Sequence, residues 1–81
     1  MNGHLMPLAM ASQGEEVTVA DIKAGRGLTK RLSDMGLTPG TKLKVITSHG
    51  PGPILINLRG SKLVLGHGIA QKVMVRMGGN D

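Results

Sequence analysis

From Glu16 the chain alternates apolar and polar positions. Glu16-Val17-Thr18-Val19 places two valines on one face of an extended segment and Glu16 and Thr18 on the other, the period-two pattern of a half-buried strand. The alternation returns over residues 41–47, with Leu43 and Val45 inward and Lys42 and Lys44 outward, and again at 54–58, 62–65 and 73–77. Between the first two strands the period changes. Leu28, Leu32 and Met35 recur at i, i+4 and i+7, one face of a short helix, and Lys30, Arg31 and Asp34 fall mostly on the other side. Gly36 supplies a left-handed residue just past the helix, and Leu37 is placed to pack back onto the last turn as in a Schellman cap. Pro39-Gly40 suits the centre of a type II turn, because proline presets the first φ and glycine accepts a positive second φ.

The remaining segments are punctuation. His49-Gly50-Pro51-Gly52-Pro53 reads as a loop, since its two prolines lack amide donors. Arg59-Gly60-Ser61 turns a hairpin, and the glycine-rich stretch 66–72 predicts a one-turn helical corner. Residues 1–7 read as a flexible arm with 1–4 mobile, Pro7 opens a short edge strand over 7–10, and 78–81 fray. One domain over 8–77 is expected: mainly β, a small antiparallel barrel with one short helix after the first firm strand and a helical corner before the last. Closure would remove sticky strand edges such as 54–58.

Composition narrows the functions. A chain of 81 residues buries only about 60–65% of its unfolded surface, room for one modest core and little for a deep substrate cavity. It has no aromatic residue and no cysteine, so base-stacking platforms, aromatic peptide grooves, disulfides and thiolate chemistry are excluded. Ten Lys and Arg against five Asp and Glu give a net charge of +5, and between Met35 and Asn80 six bases stand with no acid. These cations are dispersed along strands rather than run together, which fits a solvated basic surface as well as a nucleic-acid partner. No stretch approaches the roughly 18 apolar residues that span a bilayer, and no Lys or Arg precedes the apolar run at 5–11, which Pro7 interrupts, so a cytoplasmic protein without membrane insertion is expected.

Candidate chemistry is sparse. His49 and His67 occupy glycine-rich loops that could meet across the barrel as a weak site for a divalent transition metal, but they lack carboxylate company. His4 stands in the arm. Of the six methionines, Met35, Met74 and Met77 read as core filling rather than soft-metal ligands. Gly60-Ser61-Lys62 has the wrong order for a phosphate loop, no serine sits in a nucleophile turn, and no carboxylate pair is shielded by apolar neighbours, so no enzymatic reaction is expected.

The run Leu32-Ser33-Asp34-Met35-Gly36-Leu37-Thr38-Pro39-Gly40 resembles the FeoA family, the small cytoplasmic component of bacterial ferrous-iron uptake systems. Downstream, Gly52-Pro53-Ile54, Gly60, Leu65-Gly66-His67-Gly68-Ile69-Ala70 and Val73-Met74-Val75 follow the family's order and spacing. The resemblance implies an SH3-like barrel that acts without catalysis by binding the GTPase-containing cytoplasmic part of a ferrous-iron permease of the FeoB type. Arg26, Lys30 and Arg31 around the helix and Lys62 and His67 near the corner are the candidate contact residues, and weak self-association is compatible with the reading. Many relatives carry Gly-Asp-Pro near residues 50–53, and Arg and Glu in the corner held here by Gly66 to Ala70. The missing carboxylates count against carrying over metal ligation. Two other classes remain: a basic barrel that binds nucleic acid, which is not the expected partner, and a weak metal-binding module.

Overall fold

A computed structural model describes residues 4–48 and 50–77. Over these residues the chain is mainly β, with six antiparallel strands in one sheet and two α-helices. The elements are β1 (Leu5–Pro7), β2 (Glu16–Ile22), α1 (Arg26–Asp34), β3 (Lys42–Ser48), β4 (Ile54–Leu58), β5 (Ser61–Leu65), α2 (His67–Ala70) and β6 (Val73–Met77). The strand order is β1-β6-β2-β3-β4-β5.

The period-two pattern sets which residues enter the core. Val17 and Val19 of β2, Leu43 and Val45 of β3, Ile54, Ile56 and Leu58 of β4, Leu65 of β5 and Val73 and Val75 of β6 are buried. Leu32 of α1, Leu37, Leu8 and Ala70 close over them. Two bulges adjust the alternation: the register shifts between Val19 and Asp21 where β2 meets β6, and between Val45 and Thr47 where β3 meets β4. The second bulge lets Lys44 and Thr47 share one face despite their odd spacing.

Several expectations need adjustment. The edge strand is Leu5–Pro7, and Leu8–Met10 forms a 3₁₀ turn instead of continuing it. The turn places Leu8, fully buried, under the sheet, where an extended chain would have carried it past the edge. Met35 and Met77 are 42% and 44% exposed rather than core residues. Met35 is the C-cap of α1, where the chain reverses and Leu37 takes the interior position; Met77 ends its strand. The sheet also stays open, with no pairing between β1 and β5. The expected mobility of residues 1–3 and fraying of 78–81 lie outside the described residues.

The helix stop is built as the sequence indicates. Gly36 adopts φ 99°, its N–H bonds to the Ser33 carbonyl at 2.9 Å, and the Leu37 N–H reaches back to the Leu32 carbonyl at 2.9 Å. Gly40 adopts φ 95° in the following turn, closed by the Thr41 N–H on the Thr38 carbonyl at 3.1 Å. These glycines separate two costs. A Cβ at Gly40 would meet nothing within 4 Å, whereas one at Gly36 would lie 3.2 Å from Leu58 Cδ2. Gly40→Ala should therefore lose only the backbone preference, about 1–2 kcal/mol, and Gly36→Ala should lose visibly more in thermal denaturation. Equal losses would mean that Leu58 yields without cost.

Candidate functional site

α1 presents two faces. Leu28 and Leu32 turn inward, while Arg26, Lys30 and Arg31 are exposed. Along the outer side runs an open groove of about 590 Å³ lined by Ala24, Arg26, Thr29, Lys30, Ser33 and Asp34. Lys30 Nζ pairs with Asp34 Oδ2 at 3.3 Å, one turn along the helix. Among the described residues Arg26 and Arg31 make no ion pair. Arg26 stands in the first turn of the helix, which carries no acidic residue and no side-chain cap at Gly25. A cation there opposes the helix dipole, so its presence is not explained by helix stability.

The other two candidates lie apart. Lys62 is near the start of β5 and His67 just past its end, about 10 Å of strand between Lys62 and Leu65 alone. Gly36, just past α1, lies against the Leu58 side chain on the core side of the sheet, whereas Lys62 is the cross-strand neighbour of Asn57 on the outer face. The Arg59-Gly60 tip that joins the strands holds both residues at positive φ, 55° and 86°, with the Asn57 Oδ1 accepting the Gly60 N–H at 2.9 Å. At the far end, α2 packs against the 3₁₀ turn, and His67 Nδ1 is buried with no hydrogen-bond partner among the described residues. The five candidates thus fall in three places: Arg26, Lys30 and Arg31 on α1, Lys62 on the outer face of the sheet, and His67 at the corner.

His49 lies outside the described residues, so its meeting with His67 is not on view. Among the described residues, no group of three or more His, Asp or Glu side chains is placed to share a metal ion. No described helix is long and apolar enough to cross a membrane.

A further surface escaped the sequence reading. On the outer face of β3, β4 and β5, Thr47, Leu55 and Val64 are cross-strand neighbours, and with Pro53 and Ile54 they line an apolar groove of about 280 Å³. Its signal was present in the sequence: Leu55 and Val64 put apolar side chains at positions where the alternation calls for polar ones. Open grooves of this kind offer apolar area and charged hydrogen-bond donors, the means of contact between macromolecules.

Comparison with known proteins agrees with this architecture. Residues 6–77 match the model of the FeoA domain. A protein of Methanocaldococcus jannaschii provisionally named Fe(2+) transport protein A is 48% identical over 71 residues, covering 88% of this chain and 85% of its own. A crystal structure of an iron uptake regulatory protein (FeoA) superposes with a TM-score of 0.86 at 37% identity, over 93% of this chain and 100% of that one. The solution structure of FeoA from Chlorobium tepidum gives 0.80 at 30% identity, over 94% of this chain and 74% of that one. The same fold recurs within a longer chain, a manganese-dependent transcriptional repressor, with a TM-score of 0.83 at 21% identity over 96% of this chain and 44% of the repressor.

Proposed function

The chain belongs to the FeoA domain family, and from that premise we propose that it is a non-catalytic accessory protein of ferrous-iron uptake, acting in the cytoplasm by binding the GTPase-containing cytoplasmic part of an iron permease of the FeoB type. The near-full-length match to the archaeal protein named for Fe(2+) transport carries this reading. The surface supports it: Arg26 and Lys30 line an open groove on α1, Arg31 is exposed on the same helix, and among the described residues Arg26 and Arg31 make no ion pair. Such cations steer an acidic partner surface and fix its orientation more than they add affinity.

Copurification tests the proposal. The tagged chain, expressed in its own host, should recover the permease, and deletion of its gene should lower ferrous-iron uptake at limiting iron. Uptake that is unchanged on deletion, together with no recovered complex, would remove it.

A further inference from the structure

The sheet has two edges, and they are finished differently. β1 is three residues long, contains Pro7 and breaks at once into the 3₁₀ turn, so little of its edge can be extended by another strand. β5 has none of these protections. It is five residues long, proline-free and paired to β4 in continuous register from Leu58–Ser61 to Ile54–Leu65. Among the described residues, no backbone hydrogen bond joins 61–65 to anything but β4. Alternate amides and carbonyls of β5 therefore face away from the sheet, an arrangement that an incoming strand satisfies.

Side chains beside this edge define what the strand would carry. Val64 is 66% exposed and forms the outer rim of the apolar groove with Leu55 and Thr47. Two residues along, Lys62 shares a cross-strand row with Asn57 and Lys44. Neither lysine makes an ion pair among the described residues, although Glu16 is the register neighbour of Lys44. Both neighbours of an added strand thus lie on one face: an apolar position beside Val64 and, two residues on, a position beside a free cation.

We propose that the open edge of β5 binds an extended segment of a partner protein by strand addition, with an apolar residue in the groove beside Val64 and an acidic residue two positions away opposite Lys62. The proposal deepens the accessory-protein reading and rests on it for the identity of the partner, while the edge itself can be tested without that partner.

A phage-displayed library of random eight-residue peptides, panned on the full chain, reads the edge directly. Enrichment of peptides with apolar and acidic residues two apart is expected, and amide shifts on binding should concentrate in residues 61–65. Val64→Lys should weaken those peptides at least tenfold. Lys62→Glu, an exposed change that leaves the core intact, should exchange the acidic preference for a basic one and keeps the test decisive if Val64→Lys folds poorly. Enrichment without an acidic position, shifts on another face, or indifference to both substitutions would overturn the proposal. So would a dimer of the chain that Val64→Lys dissociates, since a second copy would then hold the edge. Peptide binding without copurification of the permease would keep the edge and discard that partner.

Discussion

Leu37→Ala should be among the most damaging single substitutions in this chain, lowering the unfolding free energy by about 3 kcal/mol and the melting temperature by about 12–24 °C. Leu37 is fully buried, and it occupies the position where the helix hands over to the turn. Its N–H bond to the Leu32 carbonyl survives the change, because it belongs to the backbone. What is lost is a fully buried side chain of the core cluster that also holds Leu32 and Leu58, and the void that remains is not closed by a cap whose backbone is fixed by its own hydrogen bonds. Met35→Ala supplies the control: a residue 42% exposed at the C-cap should cost less than about 1 kcal/mol. Similar losses for the two would show that the helix stop, rather than the interior contact, holds this region together.

The legible parts of this molecule were those where one local rule acts alone. Ile54–Leu58 was readable to the residue because a proline-glycine loop and a tight hairpin bound its alternation, and Val73–Met77 because its alternation stands between the glycine-rich corner and Gly78-Gly79. The stop at Gly36-Leu37 was readable because only a left-handed residue followed by an apolar one makes that cap. Reading failed where long-range pairing decides. Whether residues 5–10 continue as a strand depends on the burial of Leu8, and whether the sheet closes depends on how β1 and β5 approach, neither of which leaves a local trace. The contact surfaces were legible only by half. Charges on α1 can be placed from the helical period, but the groove at Leu55 and Val64 requires the registers of three strands and the bulge after Val45. The bulge is the decisive piece, since without it Thr47 would face inward.

Reversing the charges of α1 should separate stability from binding by opposite signs. Arg26 stands at the positive end of the helix dipole, so Arg26→Glu should stabilise the fold, by about 0.3–1 kcal/mol at low ionic strength. Arg31 lies in the last turn, where a cation is favourable, and Arg31→Glu should cost a similar amount. The double variant is therefore expected to melt near the wild-type temperature. If α1 contacts an acidic partner surface, however, both changes act on binding in the same direction. Each should weaken association with the permease's cytoplasmic domain, and the pair together by more than tenfold, chiefly through the association rate. Salt discriminates further: wild-type affinity should fall as the Debye length shrinks from about 10 Å at 0.1 M to about 3 Å at 1 M, and the double variant should lose most of that dependence. Titration of both proteins against the purified domain at two ionic strengths decides the point. A double variant that binds as the wild type does, with the same salt dependence, would take α1 out of the interface and leave Arg26 as a destabilising residue without a role.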